Sequence, residues 1–299
     1  MNQIELLMTG ATGLTGGLLL DKLANLYPHK EIHCLIRSTS NCSNINQLSL
    51  NLNYLTGDSK NPETWNNILS EYNPKTIVHI ASIRHIPAII QVLEKVNKNP
   101  RLIIVGTTGV YSQYNQYSAI YKEIESKLSL YKGVYCLLRP TMIYGSYTDK
   151  NLHKLLKFCN TYGFFPVFGQ GTCLLQPVHA DDLAQGILSV LQNPEIKGAY
   201  DLSGGSIVTF KELLSLVEKL LNKPVRQLSF PLNLGVGLAT ISETLLGERA
   251  PVRREQILRL QEDKAYPHDA AKKDLGFSPR TLEIGLQQEV ELMRNQGII

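Results

Sequence analysis

Residues 8–17 read MTGATGLTGG, and no other stretch restricts the fold so tightly. A short apolar run, Ile4 to Met8, ends on it, and an apolar stretch with helical spacing, Leu14 to Leu26, begins inside it. Glycines recur at positions 10, 13 and 16. In a strand-to-helix turn the first glycine permits the tight bend and the second lets the backbone approach a pyrophosphate. The third lets the helix pack closely on the strand, and the helix N-terminus then faces the phosphate charge. A glycine triplet alone is weak evidence. Between a strand and a helix, at the start of a βαβ unit, it predicts a dinucleotide site. A glycine-rich turn without a ligand is the alternative.

The rest of the first half alternates in the same way. Strands are expected at Glu31 to Arg37, Leu52 to Thr56, Thr76 to Ile80, Arg101 to Val105 and Tyr135 to Leu138. Helices are expected from Asn61-Pro62-Glu63, with Asn as cap and Pro at the first helical position, at Ile86 to Val96, and at Ser118 to Tyr131. Such alternation implies right-handed βαβ units and a parallel sheet covered on both faces. Helical spacing in the second half falls at Asn151 to Thr161, Asp182 to Leu191, Phe210 to Leu221, Val252 to Leu260 and Leu282 to Met293. The expected architecture is α/β: a Rossmann-like doubly wound parallel sheet over residues 1–145, completed by about 178–205. A smaller, mostly helical substrate-binding region would take residues 146–177 and 206–299, sharing a cleft with the sheet.

Composition narrows the function classes. Of 299 residues, 43% are hydrophobic and 19% charged, which suits a globular protein, and the net charge of +4 is spread without a dense basic block. That balance favours an anionic small molecule over nucleic acid. Five cysteines without a CxxC pair argue against a disulfide framework or a zinc site and for a reducing, cytoplasmic compartment. No signal peptide is expected at the N-terminus, and no uncharged apolar run reaches the roughly 18 residues of a membrane span. Phe230 to Ser242 comes nearest, and its length and its Pro, Asn and two Gly make a buried or pocket-lining segment the expectation, with a membrane-surface segment the alternative. His79 and His179 read as structural, with no metal site, and Asp181 and Asp182 as helix caps. Arg139, Arg253, Arg254 and Arg259 are candidates to clamp an acidic substrate, with solvated faces an equal explanation. Phe164 to Phe168 reads as a packed core loop, with a substrate-pocket lining the alternative.

The end of the second strand discriminates between cofactors. An NAD site wants an acid there for the ribose 2′-OH, whereas residues 33–41 are HCLIRSTSN. Arg37 stands in the acid's place, followed by three hydroxyl side chains. A guanidinium binds phosphate in bidentate fashion, so NADP(H) is expected, with NAD the alternative.

Further segments follow in order: Gly57-Asp58, Val78-His79-Ile80-Ala81, Gly106-Thr107-Thr108-Gly109-Val110-Tyr111, Tyr117, Arg139-Pro140-Thr141-Met142-Ile143-Tyr144-Gly145, and Gln176-Pro177-Val178-His179-Ala180-Asp181-Asp182. With the glycine turn, this set resembles the extended and atypical short-chain dehydrogenase/reductases of the NAD(P)-dependent epimerase/dehydratase type. The resemblance implies a cofactor held by Gly10, Thr12, Gly13, Leu14, Gly16, Arg37, Asp58 and Ala81, with Asp58 at the adenine. It implies Thr107 as hydrogen-bond donor to the reacting oxygen and Tyr117 as proton carrier. A small-molecule substrate such as a nucleotide sugar, and a homodimer, are further implications. The family places a Lys four residues after its Tyr, but that position is Tyr121. Lys122 lies about 100° further round the helix and cannot replace it. An ordinary phenol has a pKa near ~10, so without the ammonium it serves better as acid than as base. Carbonyl reduction is therefore favoured over epimerisation. A catalytically silent cofactor-binding regulator or scaffold is the rival expectation.

Overall fold

In the computed structural model, residues 2–149, 151–247 and 253–299 are described. Asn2–Thr9 forms β1, whose Leu6, Leu7 and Met8 are buried, and the glycine turn leads directly into α1, Leu14–Leu26. There follow β2 (Glu31–Ile36), β3 (Asn51–Thr56), α2 (Pro62–Glu71), β4 (Tyr72–His79), α3 (Ile86–Lys95), β5 (Arg101–Val105), α4 (Ser118–Leu128) and β6 (Tyr135–Pro140). Apolar strands buried on both faces are what a helix-covered parallel sheet requires; in β5, Leu102, Ile103, Ile104 and Val105 are all buried. α2 starts as its sequence dictates: the Asn61 side chain accepts the Glu63 amide, and Pro62 follows.

The remainder comprises β7 (Ile143–Tyr144), α5 (Leu152–Tyr162), β8 (Phe164–Phe168), β9 (Leu174–Leu175), β10 (Val178–His179), α6 (Ala180–Gln192), β11 (Gly198–Leu202), β12 (Val208–Thr209), α7 (Phe210–Leu221), β13 (Arg226–Phe230), α8 (Leu232–Leu246), α9 (Arg254–Leu258), α10 (Asp269–Leu275) and α11 (Leu282–Asn295). The main sheet is a seven-stranded Rossmann-like layer ordered β11-β6-β5-β4-β1-β2-β3, parallel throughout. Its order reverses between β4 and β1, and such sheets open a ligand crevice beyond the carboxyl ends of the strands at that point. One apolar cluster packs α1 and α6 on one face, and a second packs α2, α3 and α4 on the other. A third, joining α5, α7 and α11 through Leu156, Leu214, Val217, Leu286 and Val290, is the core of a C-terminal lobe.

Several boundaries differ from the sequence pattern. β4 begins at Tyr72, through Pro74, because there it pairs only with β1; its pairing with β5 starts at Thr76. A proline, lacking an N–H, is tolerated on a strand's unpaired side. Phe164 to Phe168 is a strand rather than a loop, paired with β13. Val252, the expected start of one helix, lies outside the described residues, and the helix runs Arg254–Leu258. The clearest correction concerns Phe230 to Ser242. This segment falls in β13 and α8, and α8 buries only Gly235 and Ala239. Leu234, Leu238, Ile241, Leu245 and Leu246 are exposed, so the segment is not buried. Composition marked it as apolar, but no periodicity of apolar and polar residues showed which side faces solvent. Among the described residues, no helix is long and apolar enough to cross a membrane.

Candidate functional site

A cavity of about 1060 Å³ opens along the carboxyl edge of the sheet. Its wall includes Gly10, Thr12, Gly13, Leu14 and Gly16 from the β1–α1 turn, Arg37 and Ser40 after β2, and Gly57 to Lys60 after β3. Ala81, Ser82 and His85 follow β4, Gly106 and Thr107 follow β5, and Pro140 to Ile143 follow β6. The glycines have separate tasks. Gly10 sits at φ +76°, where side chains are strained, and a Cβ on Gly16 would lie 2.1 Å from the Gly10 carbonyl oxygen. A Cβ on Gly13 would meet only that same oxygen, at 3.3 Å, so this position is bare toward the cavity rather than toward the core. Gly13 is also the N-cap of α1, so the helix amino terminus opens onto the cavity. These residues fit a pyrophosphate: a cradle that side chains would fill, with helix dipole and amides at one end.

Beneath the cradle, His79 ties two strand ends together. Its Nδ1 accepts the Thr9 hydroxyl at 2.8 Å and its Nε2 donates to the Ser82 carbonyl at 2.9 Å. Burial holds its pKa down at about 4, so the ring stays neutral and serves as a strap. At the β2–β3 side, the Arg37 amide donates to Ser40 Oγ at 3.2 Å. Asp58 accepts the Lys60 amide and pairs with its ammonium at 3.3 Å, contacts that hold its carboxyl below the usual range. Ser59 Oγ and His85 Nδ1 lie 2.8 Å apart on the same wall. Ser59, Lys60, Ser82 and His85 were not singled out from sequence; their position just past strand ends was the available signal.

Thr107 and Tyr117 part company. Thr107 lines the cavity, its Oγ1 accepting the Gly109 amide at 3.0 Å. Tyr117 precedes α4 and is not among the lining residues; its exposed ring lies 4.6 Å under the Arg84 guanidinium and 6.3 Å from the Tyr121 ring. The short loop before it is fastened by Glu262, which accepts the Ser112 hydroxyl and the Gln113 and Tyr114 amides.

Residues 6–131 match the model of the NAD dependent epimerase/dehydratase family. The match ends before β6, so the likeness to that family is carried by the first part of the chain. Solved epimerases share its fold over nearly the full length. UDP-glucose 4-epimerase of Thermotoga maritima, with UDP-glucose, superposes with TM-score 0.73 at 18% identity, covering 98% of this chain and 99% of that one. The Bifidobacterium longum enzyme, in complex with NAD+ and UDP, gives 0.73 at 15%, covering 99% of each. Two curated relatives carry another description, mitochondrial NADH dehydrogenase [ubiquinone] 1 alpha subcomplex subunit 9. The Dictyostelium discoideum protein is 35% identical over 27% of this chain, and the Arabidopsis thaliana protein 24% over 50%. The chain spans only 22% and 37% of their respective lengths.

Elsewhere in the chain, charged residues are spent on structure. Arg139 forks onto Glu125 at 2.6 Å and reaches Asp201, so it offers no free clamp. Arg259 pairs with Glu255. Asp181 and Asp182 do not cap α6. The cap is the His179 side chain, which accepts the Asp181 amide, while the two aspartates bind Arg280, and Asp181 also Lys22. Burial, with Arg280 beside it, holds the His179 pKa down at about 4. All five cysteines are free, and no cluster of metal-type ligands occurs among the described residues.

Proposed function

We propose that the cleft binds NADP(H) and that the protein is an NADPH-dependent reductase of a small carbonyl compound, a nucleotide sugar being one candidate. The observation that carries this is the shared wall: Arg37 and Ser40 border the same cavity as the glycine cradle, where an NAD site would place an acid after β2. A reduced nicotinamide held there supplies hydride. Thr107 donates a hydrogen bond to the substrate oxygen, and the Tyr117 phenol delivers the proton that converts a nascent alkoxide to alcohol. Arg37 fixes the 2′-phosphate by a charge-assisted bond worth about 1.5–3 kcal/mol. Calorimetric titration of Arg37→Ala should show NADPH weakened by roughly one to two orders of magnitude and NADH barely changed. Equal affinity of the native protein for both cofactors would remove the assignment.

A silent cofactor-binding role is the second reading. It is favoured by Tyr117 lying off the cavity wall, by Tyr121 in the family's lysine position, and by the curated relatives being described as subunits of a larger complex. Tyr117→Phe separates the two. A reductase loses NADPH turnover with cofactor affinity intact; a silent binder turns over nothing in either form.

A further inference from the structure

Asp149 Oδ2, His153 Nδ1 and Glu289 Oε1 are buried and lack a hydrogen-bond partner, and they gather at one turn of the C-terminal lobe. Glu289 projects from α11 and is 1% exposed, on a helix whose Leu286, Val290 and Met293 form the lobe's apolar core. Its Oε2 accepts the Gly145 amide at 2.9 Å. Asp149, 9% exposed, brings its carboxyl within reach of that of Glu289, acceptor facing acceptor, and Asp149 Oδ1 accepts the Asn151 amide at 2.6 Å. Two ionised carboxylates cannot touch in such a site without a cation, because neither is solvated and they repel. One proton resolves both orphaned oxygens at once, with Glu289 Oε1–H donating to Asp149 Oδ2.

We infer that Glu289 and Asp149 share one proton, and that this proton pins the Gly145–Asp149 turn, part of the cleft wall, to α11. Thr148, Asp149 and Asn151 all line the cleft. They come after β6 and β7 in the chain, while Arg37 and Asp58 follow β2 and β3, so the pinned turn supplies a separate part of the same cavity wall. The turn has little freedom of its own. Gly145 is at φ +110°, and a Cβ there would fall 2.3 Å from His179 Nε2. Moving Asp149 therefore means moving the wall.

The surrounding charges leave the proton in place. On α5, His153 stands 3.5 Å from Asp149 Oδ1. From β7 comes the phenol of Tyr144, and from β10 the neutral His179. Asp182 on α6 is taken by Arg280, whose guanidinium is committed to it and to Asp181. Lys150 lies outside the described residues. Burial first, and then Asp149, push the Glu289 carboxyl up to about 9. Glu289 and Asp149 are thus positioning residues: they act on a ligand through the turn they hold. The effect on a ligand rests on the proposal that the cleft binds a dinucleotide; the shared proton does not.

Two readouts test this. The first is thermal unfolding between pH ~6 and ~9.5. A carboxyl whose folded pKa is raised stabilises the fold at low pH, and that stability is lost as pH rises toward the folded value. The native midpoint should therefore fall by several degrees across this range relative to Glu289→Gln. In that variant the amide still donates to Asp149 and accepts from Gly145, but it cannot titrate. Asp149→Asn supplies a permanent N–H donor to Glu289, lets it ionise earlier, and should move the fall toward acid. Native and Glu289→Gln profiles of the same slope would overturn the shared proton. So would an unmoved fall in Asp149→Asn, should the glutamine variant fail to fold. The second readout is NADPH affinity at pH ~7 and ~9.5: the native protein should lose roughly tenfold more than Glu289→Gln over that interval. Equal losses would overturn the positioning role. No NADPH binding by the native protein at either pH would overturn the cofactor assignment and the positioning role together, while the unfolding profile still decides the proton.

Discussion

Two parts of the cleft wall are built from different materials. At the β1–α1 turn the work is done by main chain: a bare turn, a helix terminus and glycines that keep side chains out. Toward the Thr148–Asn151 part of the wall, the backing is done by side chains from distant segments, as in Glu289 holding Gly145; Arg280 makes a tie of the same kind to Asp181 and Asp182 outside the wall. A main-chain site tolerates no added atoms but is indifferent to pH. A side-chain site tolerates substitution of similar shape but depends on protons and charges.

Substitutions should expose this difference in graded steps. Gly16→Val is expected to be the most damaging, since its Cβ would collide with the Gly10 carbonyl and the Ala11 Cα. Chemical denaturation should show a loss above about 4 kcal/mol, if the chain folds at all. Gly13→Val should unfold nothing yet reduce NADPH binding roughly a hundredfold by filling the cradle; retained affinity in a folded variant would end the main-chain account. Arg280→Ala removes the partner of two half-buried carboxylates, and a loss of about 2 kcal/mol is expected, between surface and buried pairs. Burial would raise the Asp181 carboxyl, but Lys22 and Arg280 overcome it and hold the group below its ordinary value. Stability from this group is present above that ordinary value and lost as pH falls through the lowered one. Acid unfolding profiles of Arg280→Ala should therefore be shallower than native. Leu238→Ser, on the exposed face of α8, should change stability by less than about 0.5 kcal/mol. A cost of several times that would mean that the outer face of α8 is packed, against what its exposure implies.

The same division explains what could be read in the sequence. The glycine turn, the alternating strands and helices and the helix at Phe210–Leu221, with its Thr209–Glu212 capping box, are local signals, and each is where spacing places it. Asn61 and Pro62 opened α2 for the same reason. The Asp149–Glu289 contact spans 140 positions in sequence and carries no local pattern. Asp181 and Asp182 looked like caps because acids are common at helix starts; that His179 does the capping depends on a ring buried against Gly145. Tyr117 could be placed at the head of α4 by motif, but its ring lies under Arg84, a contact between distant segments that carries no local pattern.

The sheet closes late. β6 ends at Pro140, and its outer neighbour β11 arrives only at residues 198–202, after an excursion that builds much of the C-terminal lobe. A chain emerging from the ribosome would therefore present a bare apolar strand edge for some 60 residues of synthesis, with Cys136, Leu137 and Leu138 uncovered on its β11 side. Such edges template pairing with other chains. A fragment cut at residue 145 would carry the whole glycine cradle and still be prone to aggregate, because the strand that shields it belongs to the other half of the sequence.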